Sequence, residues 1–404
     1  MLEYGLVPNF PKRTTCSTVC CAAMIALLGM ASSPARSDEP EKTILRCNPD
    51  TLVLAAALGS APTIESCLAA GVSLDQRGRS GDTPLLAAMK KNQRPIAKML
   101  LEHGADPNLP DRDGNTALME AVRWNRDVTR ETTNELRIFA NFLMDKGADP
   151  NRQNANGETA LILAANIDNP STVQLLLSRG ADPNRATKDG STVLLGLVDQ
   201  SDNEKRNRLV IIEMLLDAGA HPDVKAARNG STPLLTALDH RDDPVAAKLL
   251  EHGADVNVAD RDGITPLHKA VERGSSTIIT VLIQKGASVN ARDVHGGTPL
   301  MTASTGGQVA LLASAGADVN AADERGATAL MRAAEAGNED VVGALLKAGA
   351  KVNAVDKKGR TAVMIANDED KPGAARLLLE AGGIVMPAVE SSSSASRANS
   401  DGTR

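Results

Sequence analysis

The stretch 260–290 begins Asp260-Arg-Asp-Gly263-Ile-Thr265-Pro-Leu-His268, passes Gly274, and closes on Gly286-Ala-Ser-Val-Asn290. Its parts recur along the chain. A Gly-x-Thr-x-Leu (or Val) element has its Gly at 81, 114, 157, 190, 230, 263, 296, 326 and 359, at spacings of 33, 43, 33, 40, 33, 33, 30 and 33 residues. Thr51-Leu-Val53 is a degenerate earlier copy. Each copy leads into an Ala-containing helical stretch, a Leu-Leu stretch, and a closing Gly-Ala-Asp-Pro/Val-Asn, as at 104–108 and 316–320. A fixed period of this length is the signature of a stacked repeat architecture.

The physics of one unit follows from its residues. Thr83 suits an N-cap and Pro84 the first helical position, where no N–H is required. Leu85 and Ala88 face one way on this short first helix. A second helix is expected over Pro95–Glu102, with Ile96, Met99 and Leu100 at helical spacing and Gly104 ending it in a left-handed conformation. Asp106-Pro-Asn108 and Asp111-Arg-Asp-Gly114 are turn chemistry, so the linker projects as a hairpin or finger. Two such short helices cannot bury their apolar faces alone, whereas stacked neighbours bury them for each other.

The 260–290 stretch and its recurrences closely resemble the ankyrin-repeat family, over residues from about 48 to 386. The resemblance implies an all-α solenoid of about ten helix-turn-helix repeats with projecting β-hairpin or finger loops. It also implies a non-enzymatic, protein-binding role through a concave groove of finger tips and first-helix ends. Carried onto this chain, the finger positions include Arg79, Asp82, Arg112, Asn115, Arg261, Ile264, Lys357 and Arg360. The helix-end positions include Lys90, Lys91, Arg123, Trp124, Glu272 and Arg273. Trp124, the one Trp, stands beside Arg123 and Arg126 at the start of an insertion. It reads either as a partner hot spot or as a ring packed under that insertion. The family's His after Thr-Pro-Leu survives only as His268, which predicts more apolar junctions elsewhere.

Three copies depart from the period. The Gly114 copy carries ten extra residues within Arg126–Leu136, and the Gly190 copy seven around Ser201–Arg208. The Gly296 copy lacks three, which predicts a second helix shortened to about Gln308–Ala315 and a locally weakened stack.

Composition is consistent with this reading. Of 404 residues 42% are hydrophobic, yet the chain has three Phe, one Tyr and one Trp. Such a core is built from Ala, Leu, Val, Ile and Met at short helix–helix distances. Interspersed charges summing to −6 argue against a nucleic-acid surface, which needs a basic stripe. Lys12 and Arg13, an apolar run over Val19–Met30 and small residues through Ser37 follow the order of a secretory signal peptide. The expected divisions are a signal peptide over 1–37, cut before Asp38, a lead-in over 38–47, the array over 48–386, and a Ser-rich disordered tail over 387–404. Cleavage leaves a net charge of −8 and two cysteines, Cys47 and Cys67. The antiparallel helices of the first repeat would bring those two together as a disulfide.

No catalytic or metal-ligand constellation stands out. The six His fall at unrelated phases of the repeat, and neither remaining Cys lies in Cys-x-x-Cys. The expected protein is therefore an exported, periplasmic or secreted monomer. It has no cofactor, no metal and no stable membrane insertion of its mature chain, and it binds another protein. The alternatives are an exported effector that engages a host protein, and an enzyme or toxin, which would require a further domain.

Overall fold

The computed structural model describes residues 47–123, 130–200 and 206–385, with the backbone alone over 130–136. The chain divides into two units, 1–46 and 47–404, and the description concerns the second. The proposed signal peptide, the tail beyond 385, Trp124, the start of the first insertion (126–129) and residues 201–205 of the second lie outside the described residues.

The described residues form ten successive helix pairs with no extended strand among them, only an isolated bridge between Ala322 and Thr328. Repeat 1 comprises Pro49–Leu58 and Ala61–Ala69; repeat 2, Pro84–Lys90 and Arg94–Glu102; repeat 3, Ala117–Arg123 and Arg130–Asp145. Repeat 4 comprises Ala160–Asn166 and Pro170–Ser178; repeat 5, Val193–Asp199 and Arg208–Asp217; repeat 6, Pro233–Asp239 and Asp243–Glu251. Repeat 7 comprises Pro266–Arg273 and Ser276–Gln284, repeat 9 Ala329–Ala336 and Glu339–Lys347, and repeat 10 Ala362–Asp368 and Pro372–Glu380. Repeat 8 pairs a 3₁₀ turn, Pro299–Thr302, with Gly306–Ser314.

The threonine of each motif starts its helix as expected. Thr83 Oγ1 accepts from the Leu86 N–H at 3.3 Å, and Thr159, Thr192, Thr232, Thr328 and Thr361 repeat the bond. These threonines are buried, so each cap also satisfies a donor that water could not reach. The first helices differ from the one-sided reading of Leu85 and Ala88, since all of Pro84–Met89 is buried. Each internal first helix packs between the first helices of its neighbours and against its own second helix, whereas those of repeats 1 and 10 have such a neighbour on one side. The second helices are amphipathic: Ile96, Ala97, Leu100 and Leu101 turn inward while Lys98 and Glu102 are exposed.

Repeat 8 corrects the expectation for the shortened copy. Its second helix keeps nine residues, and the first is the one reduced to a single 3₁₀ turn. Thr305 and Gln308 form a reciprocal capping box that starts the second helix in spite of Gly306 and Gly307. Gln308 also repairs the gap left by the missing turn. Its Oε1 accepts from Ser304 N at 2.7 Å and Thr305 N at 3.2 Å, while Nε2 donates to the Val271 carbonyl of repeat 7 at 2.9 Å. The longer copy in repeat 3 extends its second helix to sixteen residues, Arg130–Asp145.

His268 makes the expected link between repeats. Its Nδ1 bonds Thr265 Oγ1 at 2.9 Å and its Nε2 the Gly297 carbonyl of the next repeat at 3.3 Å. Burial pushes this imidazole below its ordinary value, so it stays neutral. The equivalent positions Leu86, Met119, Ile162, Leu195, Leu235, Met301 and Met331 are buried and apolar, as the missing histidines predicted.

A second hydrogen-bonded ladder follows the opposite, closing loops. The Asn that ends Gly-Ala-Asp-Pro/Val-Asn accepts, through Oδ1, a backbone N–H of the next repeat. Its Nδ2 donates to that repeat's Gly carbonyl. Asn108 thus accepts from Asp149 N at 2.8 Å and donates to Gly147 O at 2.8 Å. The same pair of bonds is made by Asn151, Asn184, Asn257, Asn290, Asn320 and Asn353. At two of the nine junctions the residue is aspartate. Asp75 accepts from Asp106 N and Asp223 from Asp255 N, each at 2.9 Å, but a carboxylate has no hydrogen for the second bond. Asp223→Asn is therefore expected to stabilise the array by about 1 kcal/mol, the net worth of one added hydrogen bond. Denaturant melts at neutral pH check this; an unchanged or lowered midpoint would refute the assignment.

Candidate functional site

The fingers between repeats are built around one side chain. Asp111 Oδ1 accepts from Asp113 N at 2.9 Å and Asn115 N at 2.8 Å, which closes the turn over Gly114. Asp260, Asp293, Asp323 and Asp356 close their fingers identically, and Asn154 does so with an amide oxygen. Gly114 is required twice over. Its φ is +82°, and a Cβ there would stand 2.8 Å from the Ala155 backbone nitrogen of the next finger. That nitrogen donates to Asp113 O at 2.7 Å, and similar bonds run from Lys188 N to Asn156 O and from Lys357 N to Arg325 O. Adjacent fingers are thereby tied into a row.

Beside this row lie the exposed ends of the first helices, where opposite charges pair. Lys90 Nζ stands 2.7 Å from Asp82 and 2.9 Å from Asp111. Burial pulls the Lys90 ammonium down, but the two carboxylates outweigh it and hold its pKa above the ordinary value. Burial likewise raises Asp111, and Lys90 with the Asn115 amides overcomes it, leaving Asp111 below the usual carboxylate range. Arg123 bridges Glu120 at 3.3 Å and Glu158 of the next finger at 3.8 Å. Glu120 is the reverse case, its pKa raised chiefly by burial. Lys269 and Arg273 both reach Asp239, at 2.9 and 3.2 Å, and Arg332 reaches Asp323 at 2.9 Å.

The sequence-derived positions divide on this surface. Arg79, Lys91, Arg112, Arg261 and Glu272 are exposed; Lys90 is exposed but paired. Asp82, Arg123, Ile264 and Arg273 are half-buried. Asn115 is buried at 5% exposure, donating to Asp111 and accepting from Asn154, so it holds the finger instead of presenting itself. Trp124 lies outside the described residues. Sequence reasoning missed Lys188, Arg228, Arg325 and Lys358 at the finger tips and Lys269 and Arg332 on the helix ends. Lys188 and Arg228 align with Arg79 and Arg112, and Arg325 and Lys358 stand one residue further on in the same tip, so aligning the copies would have found these four. Lys269 and Arg332 lie four residues after the motif threonine, a position the helix-end reading did not cover. Between the last two fingers, Arg325, Lys357, Lys358 and Glu335 line a cleft of about 330 Å³. Among the described residues no group of three or more His, Cys, Asp or Glu side chains could hold a metal ion, and no helix is long and apolar enough to cross a membrane.

A family profile described as ankyrin repeats in three copies matches residues 52–131, 132–204, 257–323 and 300–387, and a single-repeat profile matches 229–261. The chain belongs to the ankyrin-repeat family, whose members are typically non-enzymatic scaffolds for protein–protein interaction. It is similar to a putative ankyrin repeat protein of fowlpox virus, 34% identical over 85 residues; the match spans 21% of this chain and 25% of the viral protein. It is also similar to a solved ankyrin repeat domain from Acinetobacter baumannii, at 30% identity and a TM-score of 0.45, covering 50% of this chain and 98% of that one.

The finger lock carries a pH dependence with a definite sign. Asp111, Asp323 and Asp356 all have lowered pKa values in the fold, against about 3.9 for an unfolded aspartate. Their contribution is therefore present above the unfolded value and is lost as pH falls through the lower folded values. Asn154 shows that asparagine keeps the acceptor without titrating. The triple variant Asp111→Asn, Asp323→Asn, Asp356→Asn should lose stability less steeply than the native chain below about pH 4. Parallel acid limbs in melts across that range would remove these three aspartates as the cause.

Proposed function

We propose that this protein is a non-enzymatic scaffold that works outside the cytoplasm and binds another protein across its finger row and first-helix ends. The observation that carries the binding reading is that row: a surface of projecting tips, fixed in place by backbone bonds between fingers, with ordered charged side chains beside it. Rigid presentation lowers the ordering cost of association, which is what a scaffold surface needs. If a photo-crosslinking residue replaces Lys91 or Glu272 in the native organism, it should trap a second protein. The same residue in place of Glu102 or Lys285, exposed on second-helix ends, should not. Trapping at the second-helix sites alone, or at none of the four, would overturn the binding face.

Export rests on the N-terminal order of residues and on the two cysteines that remain after it. Cys67 is fully buried, Cys47 packs against the same core, and both are free thiols; burial first, then Cys47, pushes the Cys67 thiol up to about 12. Two neighbouring thiols at the first repeat are what an oxidising compartment would join. Closing that loop of about 20 residues contributes roughly 3 kcal/mol in the chain-entropy picture, where the terminal repeat has only one neighbour. Mass spectrometry of the protein from its native compartment, alkylated without reduction, should give a chain beginning at Asp38 with neither cysteine modified. An intact N-terminus with Cys47 and Cys67 alkylated along with the three cysteines ahead of them would place the protein in a reducing compartment.

A further inference from the structure

Charge is not spread evenly over this chain. The nine stretches that follow each closing Asn or Asp, up to the next motif Gly, hold thirteen basic and nine acidic residues, a net of +4, or +2 with the closing Asp75 and Asp223 counted in. The whole chain carries −6, so everything outside the fingers carries −10. Five of the nine acidic residues are the turn-closing aspartates, each accepting two backbone N–H groups.

The basic side chains are held in a way that preserves their charge. Arg112 donates to Arg79 O at 2.6 Å, Arg261 to Ala227 O at 2.7 Å and Arg228 O at 2.9 Å, and Arg292 to Ala322 O at 2.9 Å. Lys225, Arg152 and Arg77 likewise bond carbonyl oxygens. A carbonyl fixes a guanidinium or ammonium in place without cancelling it. Only Arg79 and Arg185 pair with carboxylates, those of Asp50 and Asp182. Lys188, Arg228, Arg325, Lys357 and Lys358 are exposed and make no side-chain bond or ion pair to another described residue. On the neighbouring helices, by contrast, Lys90, Arg123, Lys269 and Arg332 are matched by Asp82, Glu120, Asp239 and Asp323, with Lys91 the exception.

We infer that the finger row docks an acidic polypeptide segment, its carboxylates meeting the unpaired cations Lys188, Arg228, Arg325, Lys357 and Lys358. This rests on the scaffold reading above and names the chemistry of its partner. Positive charge on the tips of an otherwise acidic body steers such a segment to one face and repels it from the rest. A nucleic acid fits less well: the tips are intermittent charges in place of a continuous stripe, they offer no aromatic platform for bases, and the surrounding body is negative.

The test uses the full chain and labelled poly-L-glutamate, with single-stranded DNA as the rival polyanion. Poly-L-glutamate is expected to bind, more weakly as salt rises. Replacing Lys188, Arg228, Arg325, Lys357 and Lys358 by Glu should weaken binding by about tenfold or more, and by Gln to a lesser degree. Glu at five exposed second-helix cations, Lys98, Lys146, Lys285, Lys347 and Arg376, should change it far less. Circular dichroism melts confirm that each variant folds, and the Gln set serves if the Glu set does not. Absent binding, equal loss in the tip and second-helix sets, or tighter binding of DNA than of poly-L-glutamate would each overturn the inference. Crosslinking that traps a partner on the face through a segment without acidic residues would also overturn it while leaving the scaffold standing.

Discussion

Two short antiparallel helices cannot bury an apolar face by themselves, and this limit shapes the whole array. First helices become the inner layer, closed in by their neighbours, and Ala88, Ala97 and Ala121 let the helices approach closely. Polar groups then have to be satisfied at the ends of the helices, where water or the next repeat can reach them. On one side this produces the asparagine ladder through the closing loops, and on the other the aspartate-locked fingers. Both are local devices that act from one repeat to its neighbour.

The same division separates stability from recognition. The buried layer and the asparagine ladder use nearly identical residues in every copy. The finger tips vary: Arg112-Asp113, Ala155-Asn156, Val294-His295 and Lys357-Lys358 stand at equivalent places. Their backbone is fixed by the turn-closing side chain and the following glycine, which leaves the two residues between them free to differ in chemistry. A surface can therefore change its charge along the stack while the fold beneath it stays constant.

Much of the fold was legible because its signals are local. Threonine before Pro84, Gly104 after the second helix and the period of 33 residues each name a backbone event without reference to the rest of the chain. The shortened copy was misplaced because Gly306 and Gly307 suggest a helix broken late, whereas Thr305 and Gln308 form a readable capping signal that starts it there. The site was less legible. Position within the repeat identified Arg79, Lys91, Arg112 and Arg261 as surface residues. It could not show that Asn115 turns inward, because that depends on Asn154 in the next finger, 39 residues on. Nor does sequence spacing reveal whether a lysine meets a carboxylate, as Lys90 does, or none, as Lys357.

Each closing asparagine reaches forward only, to the glycine and the amide of the repeat that follows. Donor, acceptor and reach are all contained in one unit, and the receiving groups are backbone atoms common to every unit. The array thus has a built-in direction, like a chain whose every link carries its own hook and eye. Duplicating or removing a whole link would leave all remaining joints complete. The number of repeats, and with it the length of the recognition face, can change by a single genetic event without redesigning any interface.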